Sequence, residues 1–229
     1  MSGGIPMGAG DAPGQVAVRT GRAPLTERRK AETRLEIARA AVSLFTANGV
    51  LATPAEQIAE LAGISVRTLW RYCPTKEACV LPLLTPGIEM AAHALRTWPA
   101  GGTMSDLIDE LDHLDHDGVE TEADAPTLLS LVRLTHREPR LRAVWLQAHH
   151  EAEPVFAGAL AERAGLPSHD LTIKVQAAML NSAIRTAVEH YALESDAADA
   201  DRAGLLTALR TALSTVGRGL AQTISAPRP

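Results

Sequence analysis

The chain has 229 residues, a formal net charge of −5, and 46% hydrophobic but only 3% aromatic residues. A core of Ala, Leu and Val is expected, and Ala and Leu favour helix. No run reads as the roughly 18 apolar residues of a membrane span, the start lacks a charged-then-apolar leader pattern, and the only two cysteines, Cys73 and Cys79, offer no disulfide framework, which predicts a reducing cytoplasm.

The charge is not spread evenly. Residues 19–79 hold ten Lys or Arg against six Asp or Glu, a net of +4. Residues 80–229 hold twelve against twenty, a net of −8. A basic N-terminal part and an acidic remainder point to nucleic acid at one end.

Taken in chain order, residues 1–24 are rich in Gly, Pro and small residues and read as a disordered arm, in which Arg19 and Arg22 could track a phosphate backbone. A first helix is predicted over 26–48, with Leu35, Ala38, Val42 and Phe45 at helical spacing and Gly49 ending it. Its basic start, Arg28, Arg29 and Lys30, could also follow the backbone.

Residues 53–77, TPAEQIAELAGISVRTLWRYCPTKE, are the most informative stretch. Thr53, Pro54 and Glu56 read as a capping box with a proline start, and Gly63 as the left-handed end of a short helix. Ser65 caps a second helix, Val66 to Tyr72, whose Leu69 points inward. Pro74 stops it, and Thr75 can cap the next helix. This is the layout of a helix-turn-helix.

Residues 28–79 resemble the DNA-binding domain of TetR-type transcriptional regulators. The matching positions are Leu44-Phe45-x-x-x-Gly49, Thr53, Ile58-Ala59, Ala62-Gly63-Ile64-Ser65, Thr68-Leu69-Trp70-Arg71-Tyr72 and Lys76-Glu77. Cys73 departs from the pattern, standing where the family commonly has Phe. The geometry of the second helix puts Arg67, Thr68 and Arg71 within reach of base edges and Val66 near a thymine methyl. The resemblance implies that Trp70, Tyr72 and Lys76 position the DNA backbone. Thr53 is expected at a phosphate, and Ser65 completes the predicted interface.

Beyond this head the sequence predicts helices only. A connecting helix begins at Glu77 and is interrupted by Pro82 and Pro86. Further helices are predicted over 87–98, 104–116, 126–137, 139–164, 169–193 and 202–224. The expected fold is therefore all-α: a disordered arm (1–24), a three-helix DNA-binding domain (25–85), and a helical effector-binding and dimerisation domain (86–229).

Three constellations in this larger part bear on function. Residues 106–118 are rich in metal-ligand types, with Glu110, His113 and His116 at helical spacing. This favours a solvated acidic face and leaves a metal-dependent enzyme or metal sensor, together with His149 to Glu153, as the rival reading. Arg133, His136, Trp145, His149, Asn181 and Arg185 are polar or aromatic groups on apolar helices. They are the candidate lining of the effector pocket that the resemblance implies, and family effectors are often apolar or aromatic. Leu206, Leu209, Leu213, Val216 and Leu220 form a heptad-like seam, and the preceding helix is apolar on two sides, at Ile173 to Val188 and at Leu171, Val175, Ala178 and Ser182. One side needs a second subunit.

No nucleophile motif, phosphate loop or convincing metal cluster is legible, so no catalytic residue, metal or cofactor is expected. The expected protein is a cytoplasmic homodimeric regulator, with repression the default the resemblance implies. It would bind a palindromic operator in double-stranded DNA and be released by a small molecule. A DNA-binding dimer without any effector is the third reading. A thiol switch at Cys73 and Cys79 is the minor alternative to two inert buried thiols.

Overall fold

The computed structural model describes residues 25–99, 102–116, 119–195 and 202–218. The arm, Arg19 and Arg22, Gly118 and Leu220 lie outside them. Among the described residues every regular element is helical. The order is α1 (Leu25–Asn48), α2 (Ala55–Leu61), α3 (Val66–Tyr72), a 3₁₀ turn (Glu77–Val80), α4 (Leu81–Thr97), α5 (Met104–His116), α6 (Val119–Arg137), α7 (Pro139–Ala164), α8 (Leu171–Glu194) and α9 (Arg202–Arg218).

Glycine ends three of these helices, two of them, at Gly49 and Gly63, where the sequence reading places the stop. Gly49, Gly63 and Gly165 have φ of +80°, +67° and +64°, a region an L side chain enters only with strain. Ser65 caps α3 as expected, its hydroxyl accepting from the Thr68 N–H at 3.1 Å. Thr75 does the same for the 3₁₀ turn, accepting from the Ala78 N–H at 3.1 Å.

The expected proline breaks do not occur. Pro82 sits in the first turn of α4, where no amide partner is needed, and Pro86 lies inside it at the loss of one hydrogen bond. So α4 runs through the expected 85/86 boundary. The stretch Glu77–Thr97 is also longer and more apolar than the sequence reading allowed: it has 21 residues and contains an 18-residue window of mean hydropathy 1.4, enough by length and composition to cross a bilayer. Here its apolar side chains pack against helices: Leu83, Leu84, Ala91, Ala92, Ala94 and Leu95 are all buried.

The buried side chains form two clusters. One joins the head (Ile37, Phe45, Ile58, Leu69, Cys73, Cys79, Leu84) to Leu131, Leu141, Trp145 and Tyr191 of α6, α7 and α8. The other fills the far end, with Leu95, Ile108, Phe156, Ile173, Leu180 and Leu213. Head and body thus share one packed seam. Two ion pairs cross it: Arg39 holds Asp124 through both guanidinium edges at 2.6 and 2.9 Å, and Arg140 meets Glu77 at 3.5 Å.

Candidate nucleic-acid interface and regulatory core

Helix α3 is two turns long, and one residue anchors it: Leu69 is fully buried. The remaining faces present chemistry. Arg67, Trp70 and Arg71 are exposed, and Thr68 and Tyr72 are half-exposed. The Arg71 guanidinium lies 5.3 Å from the Tyr72 ring centroid. Thr68 and Ser65 share a hydroxyl–hydroxyl hydrogen bond of 2.9 Å, so a base must compete with Ser65 for the Thr68 hydroxyl. Val66 is half-buried against the core, which leaves part of its surface for a thymine methyl.

Two expected backbone contacts take different roles. Thr53 is fully buried and is not the cap of α2; Pro54 occupies that position and offers no side-chain cap. The Thr53 hydroxyl instead donates to the Gly49 carbonyl at 2.8 Å and leans toward that of Leu44 at 3.3 Å. Lys76 is half-buried, and its ammonium donates to the carbonyls of Val50 at 2.6 Å and Thr53 at 2.8 Å. The loop after α1 offers carbonyls with no helical partner, and these two side chains satisfy them. Lys76 therefore ties the loop before α2 to the segment after α3 with two of its three ammonium donors, while the Thr53 hydroxyl is spent closing that loop onto the end of α1.

Cys73 and Cys79 are free and buried in the same region. Contact with the Cys73 sulfur, and then burial, push the Cys79 thiol far above its ordinary range.

In the body, four of the six candidate pocket residues come together on α7 and α8. His149 Nδ1 pairs with Asn181 Oδ1 at 2.7 Å, and the Asn181 amide donates to the His149 carbonyl at 2.8 Å. The His149 and Trp145 rings meet edge to face, 4.3 Å apart. The Trp145 indole N–H donates to Glu189 at 2.6 Å. Arg142 and Arg185 reach the same carboxylate at 2.7 and 3.1 Å.

Burial pushes the Glu189 carboxyl up, but the donors from Trp145, Arg185 and Arg142 outweigh it and hold the group below the usual range. Burial also pushes the His149 imidazole below its ordinary value, against the pull of Asn181. His149 Nε2 is buried without a hydrogen-bond partner.

The other two expected pocket residues do not join. Arg133 donates to the carbonyls of Ala192 at 2.5 Å and Ser195 at 2.7 Å, closing the C-terminal end of α8. His136 is exposed on the last turn of α6.

Comparison with known proteins now decides the family. Residues 37–83 match the family model for bacterial regulatory proteins of the tetR family, and residues 119–221 match the MftR C-terminal domain. The chain belongs to the TetR family of transcriptional regulators. It is 31% identical over 150 residues to the HTH-type transcriptional regulator TcmR of Streptomyces glaucescens. That alignment covers 64% of this chain and 66% of the relative.

Two solved structures share the TetR fold at a TM-score of 0.50. A TetR-family regulator from Mesorhizobium loti MAFF303099 is 22% identical, covering 85% of this chain and 98% of the other. A transcriptional regulator from Pseudomonas aeruginosa PAO1 is 18% identical, covering 90% and 98%.

TetR-family proteins are DNA-binding regulators rather than enzymes, and the metal-enzyme alternative finds no support. Three acidic residues of α5 have structural partners. Asp106 accepts from the Thr103 N–H and hydroxyl, Glu110 from the Thr97 hydroxyl, and Asp109 pairs with Arg210. The His116 side chain lies outside the described residues, and among them no group of three His, Cys, Asp or Glu is placed to hold a metal.

The sequence reading missed Arg142 and Glu189. A signal was present: Glu189 follows Arg185 by four residues, the spacing of one helical turn on an apolar helix. Leu213 also departs from its expected role. It is fully buried inside its own domain, whereas Leu206, Leu209 and Val216 are half-buried.

Proposed function

We propose that this regulator binds a palindromic operator as a homodimer and represses from it in the cytoplasm until a small molecule releases it. The observation that carries the DNA reading is the division of α3. Leu69 is fully buried while Arg67 and Arg71 stand exposed on a capped, two-turn helix. An arginine so placed can donate two hydrogen bonds to guanine in the major groove.

Dimerisation is supported by α8. Leu171, Val175 and Met179 are exposed at 76%, 49% and 38%, along the face opposite Ile173, Ala177 and Leu180. A chain of this size does not usually leave such a stripe in water. Two-fold symmetry would then set the recognition helices about 34 to 36 Å apart, or somewhat more if the family's wider spacings apply.

For the effector, we centre the site on His149, Trp145, Asn181 and Arg185. His149 Nε2 is the buried side-chain polar atom, among the described residues, that lacks a partner. A largely apolar molecule carrying one hydrogen-bonding group would satisfy it. A route to the head exists. Arg133 ties α6 to the end of α8, and Asp124, further back on α6, ties it to Arg39 of α1. A ligand that prefers one arrangement of this seam shifts the spacing of the two heads.

An effector-free dimer is the second reading. It is favoured by the way Glu189 and Asn181 already satisfy most of the buried polar groups. Selection of bound duplexes from a random pool tests the proposal: an inverted repeat should be enriched. Recovery of no common sequence would sink the DNA reading. An operator complex that no apolar or aromatic compound dissociates would leave the effector-free dimer.

A further inference from the structure

Arg34 stands on the exposed side of α1. Its guanidinium carbon lies 5.8 Å from the centroid of the Tyr72 ring, and that of Arg71 lies 5.3 Å from the same centroid. A phenol ring attracts each cation, but two cations on one ring also repel. The acid within reach, Glu27, is held by Lys30 at 2.8 Å. Among the described residues no carboxylate forms an ion pair with Arg34 or Arg71. The ring therefore gathers two guanidiniums, one from α1 and one from α3, with no anion between them, beside the exposed face of the recognition helix.

We infer that Arg34 is a DNA-contact residue: it grips a phosphodiester of the duplex flanking the bases read by α3, and the Tyr72 ring is the shelf that positions it. The site takes a backbone phosphate and not a base. Its cation stands on a different helix from Arg67, off the helix that enters the groove. An anion there also relieves the repulsion between Arg34 and Arg71. The head would then hold DNA from α1 as well as from α3, and a sequence-independent contact would come from a side chain outside the helix-turn-helix. This inference rests on the DNA-binding reading.

The test is duplex binding as a function of salt, on the pool-selected sequence and on a mixed-sequence duplex. Arg34→Gln should lower the slope of log affinity against log salt by about one unit on both duplexes, leaving their affinity ratio unchanged. Arg34→Lys should keep most of the slope. Tyr72→Leu should lower it as Arg34→Gln does, and the double variant should lower it no further, because shelf and cation act as one unit. Arg96→Gln, on the last turn of α4, removes the same charge far from the head and should leave the slope alone. Thermal melts confirm folding, since Arg34 is exposed.

An Arg34→Gln slope equal to wild type overturns the inference, as does a changed ratio between the two duplexes, which would mean base reading. Wild-type chain that retains neither duplex contradicts the DNA-binding reading itself, a different outcome.

Discussion

At the scale of single residues, the structure separates the exposed groups of α3 from groups that hold the head in shape. Lys76 belongs with the second. Removing its ammonium leaves the Val50 and Thr53 carbonyls unpaired. Lys76→Met should cost about 1 to 3 kcal/mol in urea unfolding, with little change in the salt slope of DNA binding. A slope that falls by about one unit with stability unchanged would restore the phosphate role. His149 gives a pH dependence. Its folded pKa lies below that of the unfolded chain, so the fold favours the neutral ring. That contribution is complete above the ordinary histidine range, about 6.5, and is lost as pH falls through the depressed folded value. Wild type should lose urea stability on acidification from neutral pH, and His149→Gln should lose less. Equal losses would show that the imidazole is not the titrating group.

At the scale of elements, the proposed dimer rests on the exposed stripe of α8, whereas Leu213 of α9 belongs to the core of its own chain. Val175→Glu with Met179→Glu places charge on the exposed stripe and should give a folded monomer by sedimentation, with weakened operator binding. Leu213→Glu should instead unfold the body, because that side chain fills the core. A dimer that survives both stripe substitutions would move the interface elsewhere. Much at this scale was legible in the sequence. Glycine stops at 49 and 63 and the Ser65 cap are local chemistry, and the structure places them as read. The start of α2 was misread because Thr53 suits two roles, and the tertiary one, tying the loop carbonyls, won. The prolines of α4 were misread because one falls in the first turn and the other is carried by packing on both sides. Arg133 and Lys76 were invisible for another reason. Each makes its hydrogen bonds to main-chain carbonyls far along the chain, and spacing within one helix says nothing of those.

At the scale of the whole molecule, a basic head and an acidic body meet across a shared hydrophobic seam braced by Arg39–Asp124. The charge division explains how a chain of net −5 can approach DNA by one end. The brace lies between the proposed effector region and α1. Asp124→Asn should therefore weaken the coupling between ligand and operator, changing the ligand concentration that releases DNA while the affinity of the free protein for DNA stays close to wild type. Unchanged coupling would remove α6 as the route. All of this stands on α3 reading DNA. The most direct measurement is the affinity of Arg67→Ala and Arg71→Ala for the pool-selected duplex and for each single-base variant of it. Each substitution should cost about 1 to 3 kcal/mol and relax the preference at one base pair of each half-site. Wild-type affinity and an unaltered base preference in both variants would contradict the account.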